Sequence, residues 1–188
     1  MRVLQFFKTA YPDSMGGVEQ VIHQLACGGI ARGLDMHVLS LTAKNMPRQQ
    51  EVFGYHLHRA RLDMHLASTG FSLSAFKRFA ALARDADVVH YHFPWPFMDL
   101  VHFATRIRKP SVVTYHSDIV RQQNLLKLYR PLKNRFLGST DRIIATSPNY
   151  LATSEVLAKH QGRVEVIPIG LDRASYPSPD AGRLQYWR

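Results

Sequence analysis

Apolar residues fall into two patterns along the chain. Short runs rich in Val, Ile and Leu at 3–7, 36–41, 52–58, 88–91, 111–115, 142–145 and 164–167 each predict a strand. Several lack the alternation of a half-exposed strand, as expected for strands covered on both faces. Between them, apolar residues recur at helical spacing over 18–32, 72–84, 97–107, 120–137 and 149–159. This alternation predicts an α/β fold, a doubly wound, mainly parallel, Rossmann-like sheet with helices on both faces. Gly33 follows the first helix where a glycine C-terminal cap is expected. Gly28-Gly29, inside that helix, should weaken it by about 1 kcal/mol per glycine relative to alanine.

After Ile169-Gly170-Leu171-Asp172 the pattern gives way to Tyr176-Pro177-Ser178-Pro179-Asp180-Ala181-Gly182, which is turn and linker composition. Residues 1–172 are therefore expected to form one domain and 173–188 a linker. No apolar run approaches the roughly 20 residues of a membrane span. The N-terminus enters a strand pattern directly, without the layout of a signal peptide. Cys27 is the single cysteine, so no intrachain disulfide is expected. The net charge of +10 favours polyanionic partners, namely phosphorylated ligands, anionic lipid or nucleic acid. No nucleic-acid module signature accompanies it, so charge alone supports that last reading.

Ligands of doubly wound sheets gather beyond the carboxyl ends of the strands. The first run is followed by Asp13-Ser14-Met15-Gly16-Gly17, and later runs by His92-Phe93-Pro94-Trp95-Pro96, His116-Ser117-Asp118 and Thr146-Ser147-Pro148-Asn149. A glycine pair opening a helix exposes N–H groups at its positive end, which either binds an anion or is simply a tight turn. His92 and His116 are open between ligand contact and structure. His90, His92 and His116 could be imagined around a metal, but no cysteine or close carboxylate pair supports it. Asp118 could cap the next helix, and Pro94 and Pro96 could stiffen the loop around Trp95. There is no three-glycine dinucleotide fingerprint, no P-loop and no serine elbow.

Over 120–137, Leu125, Leu128, Tyr129, Leu132 and Phe136 recur at helical spacing, and Arg121, Lys127, Arg130, Lys133 and Arg135 carry charge without an acid among them. Pro131 should kink or restart this helix. Two readings stand: a core helix with a solvated basic back, or a membrane-surface helix contacting anionic lipid through Lys127, Arg130, Lys133 and Arg135.

Read in order, Gly16-Gly17-Val18-Glu19, Asp87-Val88-Val89-His90-Tyr91-His92, Pro110-Ser111-Val112-Val113-Thr114-Tyr115-His116-Ser117-Asp118, Asp141-Arg142-Ile143-Ile144-Ala145-Thr146-Ser147 and Val164-Glu165-Val166-Ile167-Pro168-Ile169-Gly170-Leu171-Asp172 resemble the N-terminal, acceptor-side domain of GT-B-fold retaining glycosyltransferases of family 4. The resemblance covers residues 1–172. It implies transfer of a sugar from a nucleotide-sugar to an acceptor with retention, without a cofactor and usually without a metal. It implies that Gly16 and Gly17 approach the donor diphosphate and that His116 lies by the reacting sugar as a neutral imidazole. It implies that His92 and Trp95 lie near the acceptor, with Asp13, Ser117 and Asp118 available to acceptor hydroxyls. The donor-binding C-terminal domain of that family has no counterpart in these residues, so the chain alone is expected to transfer little or nothing. The expected acceptor is lipid-linked or surface glycan, the expected donor GDP-mannose, and the expected location cytoplasmic, peripheral on the inner membrane face. The alternative is a non-catalytic module for a phosphorylated or nucleotide ligand.

Overall fold

The first strand, β1 (Arg2–Phe6), lies near the middle of the sheet, with all but Arg2 buried. The computed structural model describes residues 1–66, 69–119 and 123–170, and for 123–126 the backbone alone. The predicted domain boundary at 172 and linker 173–188 lie outside the described residues, as do Arg121 and the side chain of Leu125.

β1 leads through α1 (Gly17–Ile30) to β2 (Asp35–Thr42), then to the hairpin β3 (Gln49–Val52) and β4 (Tyr55–Arg61). A two-stranded ribbon, β5 (Met64–Leu66) and β6 (Thr69–Phe71), precedes α2 (Leu73–Asp85). There follow β7 (Val88–Phe93), α3 (Pro96–Thr105), β8 (Ser111–Tyr115), α4 (Gln123–Ser139), β9 (Arg142–Ala145), α5 (Pro148–Thr153), α6 (Glu155–Ala158) and β10 (Val164–Val166). The eight-stranded sheet has the order β10-β9-β8-β7-β1-β2-β4-β3, parallel except for β3. The α/β, Rossmann-like reading holds.

The order fixes where ligands gather. The chain steps from β1 to β2 on one side, then returns through α2 to β7 on the other side of β1. Right-handed crossovers put α1 on one face and α2, α3 and α4 on the opposite one. The switch point lies between β1 and β7, and crevices of such sheets open there. The Gly16-Gly17 turn follows β1, and His92 is the penultimate residue of β7.

Three local departures from the sequence reading have physical causes. The run 52–58 is interrupted by Phe53 (φ 48°) and Gly54 (φ 85°), a turn with both central residues left-handed that folds β3 back onto β4. The run 149–159 is two short helices separated at Ser154, whose hydroxyl accepts from the N–H of Leu157 and starts the second. β5 and β6, at three residues each, are too short to carry a period. The glycine pair inside α1 has a partial explanation. A Cβ on Gly29 would lie 2.5 Å from Met36 Sδ, so Gly29 permits α1 to approach β2 closely. α1 ends as expected: Gly33 (φ 75°) donates to Ile30 O, and Leu34 donates to Gly29 O.

Candidate functional site

The carboxyl ends of β7 and β8 are joined by a chain of side-chain hydrogen bonds. His92, next to last in β7, is fully buried, and its Nδ1 lies 3.0 Å from Nε2 of His116, just past β8. Its Nε2 lies 3.0 Å from Oε1 of Gln5 on β1. Gln5 Nε2 donates to the carbonyl of Ile22 in α1 at 3.1 Å, which orients the amide. The network then has one consistent proton assignment. Gln5 Oε1 accepts from His92 Nε2–H, so His92 Nδ1 is unprotonated and accepts from His116 Nε2–H. His116 is left with a lone pair on Nδ1. Four residues, from β1, β7, α1 and the tip after β8, thus set the tautomer of one ring at the switch point.

Electrostatics keeps these rings neutral. Burial lowers His116 to about 4, and burial with the neighbouring His116 lowers His90 to about 4. Burial, then His90 and His116, puts His92 well below the ordinary histidine value. At neutral pH the site therefore offers a hydrogen-bonding imidazole rather than a cation. His90 shares the face of His92, stacks on it at 4.5 Å between ring centres and lies 2.7 Å from Thr114 Oγ1.

The glycine pair divides into two roles. A Cβ on Gly16 would lie 2.5 Å from Oε2 of Glu19, whose carboxylate folds back over the helix start and accepts from Ser14 Oγ at 2.9 Å. Burial pushes Glu19 up, but bonds from its own N–H, Thr9 and Ser14 outweigh that and hold it low. The positive end of α1 is thus already partly compensated by Glu19. Gly17 differs, with nothing within 4 Å of a Cβ there. Among the described residues no neighbour explains a bare backbone at Gly17, and the space above it is open to a ligand.

Several expected contacts are corrected by burial. Trp95 is 1% exposed, and the loop turns its indole inward. Its Nε1–H donates to Gly70 O, and its ring packs on Phe6 at 4.9 Å, so no aromatic face is left for a sugar. Asp13 forms a bidentate pair with Arg59, Nε to Oδ2 at 2.6 Å and Nη2 to Oδ1 at 2.8 Å, with both side chains buried. Its carboxylate anchors the loop instead of facing an acceptor. His92 reaches the cleft only through His116. Asp118 accepts from Tyr115 Oη at 2.7 Å and Ser154 Oγ at 3.3 Å, tying β8 to the start of α6. Ser117 is exposed at the tip.

On α4, Lys127, Arg130 and Arg135 are exposed, but Lys133 is 6% exposed and turned inward near Asp99. Asp99 is buried and accepts from Tyr129 Oη, and burial raises its carboxyl well above the usual range. Leu128 is 80% exposed, so among the described side chains the apolar stripe is Tyr129, Leu132 and Phe136, and Leu128 stands among the basic residues. Among the described residues no helix is long and apolar enough to cross a membrane.

A groove of about 520 Å³ runs beside α1, lined by Val21, Leu25, His90, Thr114, Ile144 and Ile167 among others. It contains none of the residues singled out from the sequence for donor or acceptor. Sequence reasoning also missed Gln5 and Arg59. The signal for Gln5 was a polar side chain within an apolar strand run, whereas Arg59 stands in a mixed strand that reads Tyr55-His56-Leu57-His58-Arg59-Ala60-Arg61.

The Asp13–Arg59 pair gives a direct expectation. Removing one member of a buried pair strands the other charge, so Asp13→Ala should cost about 3–5 kcal/mol in urea unfolding. The double variant Asp13→Ala/Arg59→Met should cost less than Asp13→Ala alone. A loss below 1 kcal/mol for Asp13→Ala would remove the anchoring role.

The chain is 58% identical over 188 residues to the D-rhamnosyltransferase WbpZ of Pseudomonas aeruginosa, covering all of this chain and 49% of that protein. It is 46% identical over 191 residues to the O-antigen chain mannosyltransferase C of Escherichia coli, covering 50% of it. The chain thus spans about half the length of the curated relatives it matches. Among solved structures, sucrose-phosphate synthase of Thermosynechococcus elongatus superposes on all of the chain with a TM-score of 0.72 at 16% identity, over 52% of its own length, a likeness of fold. The sequence pattern of Glycosyltransferase Family 4 matches residues 15–175, and the chain belongs to that family.

Proposed function

We propose that this chain is the acceptor-side half of an enzyme that transfers a D-manno-configured sugar, mannose or its 6-deoxy form, from a nucleotide-sugar to a lipid-linked O-antigen-type glycan with retention. The observation that carries the reading is the Gln5–His92–His116 network at the switch point, beside an open Gly17 backbone. The Gly17 N–H approaches the leaving diphosphate, where charge grows in the transition state and fixed dipoles stabilise it. Neutral His116 accepts a hydrogen bond from a sugar hydroxyl through Nδ1, and exposed Ser117 meets the acceptor. The two named relatives supply the sugar class and the O-antigen context. GDP is the expected nucleotide, and no metal is expected in the transfer step.

The same reading places the protein on the cytoplasmic face of a membrane. Lys127, Arg130 and Arg135 face outward from α4, and exposed Leu128 supplies an apolar group to insert between lipid headgroups.

The test uses two proteins: the 188 residues alone, and the same residues fused to the part of the Pseudomonas relative that the chain does not match. Labelled GDP-mannose and GDP-rhamnose are supplied with membranes carrying lipid-linked glycan. The fusion should transfer one of the two sugars, and the chain alone should not. His116→Ala in the fusion should lower kcat by about 10²-fold with little change in donor KM. Unchanged kcat would return His116 to a structural role, and robust turnover by the chain alone would end the two-half reading.

A further inference from the structure

We propose that Asp35, His37 and His56 form a binding site for a divalent transition metal, zinc fitting best, where β2 and β4 begin. This is the edge of the sheet opposite the His116 tips, so the site is separate from the transfer step.

The sheet geometry assembles the three ligands. Asp35 and His37 are two residues apart on β2, so their side chains project from the same face. His37 lies directly opposite His56 in the parallel β2–β4 register, which brings the second imidazole to that face. One ligand atom from each of the three residues lies within 4.8 Å of the others. Bonds of about 2.0–2.1 Å to a tetrahedral zinc put ligand atoms about 3.3 Å apart, so side-chain rotation alone can close the set. His37 is 9% exposed, and Asp35 and His56 are half-buried, which leaves a fourth position open to water.

The outer groups are arranged as a metal site needs them. Arg2 Nε holds Asp35 Oδ2 at 2.6 Å, leaving Oδ1 to face His37 Nε2 at 2.9 Å. On its far side, His37 Nδ1 meets His58 Nε2 at 2.9 Å in a buried contact. Without metal, the proton chain is His58 Nε2–H to His37 Nδ1 and His37 Nε2–H to Asp35. With metal on His37 Nε2, each ring moves its proton to Nδ1, and His37 Nδ1–H donates to His58 Nε2. Both rings stay neutral, so binding requires a tautomer exchange and releases no net proton. An imidazole whose second nitrogen is held by a buried acceptor is the usual support of a metal-ligating histidine. Two nitrogens and one carboxylate oxygen suit zinc, cobalt or nickel, whereas magnesium and calcium take all-oxygen shells.

The site joins β2 to β4, so a bound ion favours the folded chain over the unfolded one. The experiment treats the 188-residue chain with chelator, removes the chelator, then adds Zn²⁺ or Co²⁺, with Mg²⁺ as control. Zn²⁺ at about one hundred times its Kd should raise Tm by about 5 °C, and Mg²⁺ should not. Co²⁺ should bind one per chain with visible absorption. His56→Ala, at a half-exposed position, should abolish both effects, and Asp35→Asn should weaken them. A Zn²⁺ shift of equal size in His56→Ala overturns the proposal, as does no uptake by the unaltered chain. Co²⁺ on the unaltered chain should also perturb the ring resonances of His37 and His56 first. Perturbation centred on His23 or His65 instead sinks the assignment without any variant.

Discussion

His92→Phe is expected to lower kcat of the fused enzyme by about 10- to 100-fold while leaving donor KM nearly unchanged. His92 is fully buried and cannot touch either substrate, so it acts as a positioning residue. Phenylalanine fills the space but leaves His116 Nε2–H and Gln5 Oε1 without their partner. Each orphaned buried group costs about 1–3 kcal/mol, and His116 can relieve its share by rotating or by exchanging tautomers. Either movement removes the Nδ1 lone pair from the cleft. His92→Gln keeps one acceptor and one donor and should recover most of the loss. A role in packing alone predicts the reverse, with phenylalanine tolerated and glutamine damaging. A second readout needs no activity. Nitrogen-15 spectra of the chain should show both His92 and His116 protonated on Nε2, and a His116 protonated on Nδ1 would refute the network.

The reach of the sequence differs between fold and site. Buried strands such as β8 and β9 consist of apolar runs, so their bounds at 111–115 and 142–145 were legible without any contact information. The β3–β4 turn was hidden because Phe53 adopts a left-handed conformation at a place where Asn or Gly is the usual signal. The positions of Gly16, Gly17 and His116 beyond strand ends were legible because each follows an apolar run. The direction of a side chain in an aperiodic loop was not, and Trp95 and Asp13 turned inward. Arg59 could not be assigned to Asp13 across 46 residues of sequence. Lys133 is different, because its spacing carried the answer. It falls four residues after Tyr129 and three before Phe136, on the buried stripe of α4, where its charge drew attention away from its position.

Acidification should unfold this chain well before its carboxylates are fully titrated. His58, His90 and His116 are lowered from 6.5 to about 4, and His92 is lowered well below 6.5, in each case chiefly by burial. The sign follows from linkage. Below 6.5 the unfolded chain takes up protons on these rings and the folded chain does not. Their stabilisation is therefore complete above 6.5 and is lost as pH falls toward 4. Each ring contributes about 1.4 kcal/mol per pH unit inside that window. Solvent access at His116 reduces its share. Asp99 works in the opposite direction. Its raised folded value means that the folded state keeps a proton the unfolded carboxyl gives up, so Asp99 costs stability as pH rises. The four histidines outnumber it, leaving a net slope of about 3–4 kcal/mol per pH unit against a total stability of about 5–15 kcal/mol. Cooperative loss of near-ultraviolet dichroism is therefore expected near about pH 5, with the urea midpoint falling steeply from neutral pH downward. His58→Gln should reduce proton uptake on unfolding by about one, and Asp99→Asn should raise the urea midpoint at neutral pH more than at acid pH. A urea midpoint unchanged between neutral pH and pH 5 would mean that these rings titrate freely in the folded chain. The neutral His116 on which the transfer reading depends would then be lost with it.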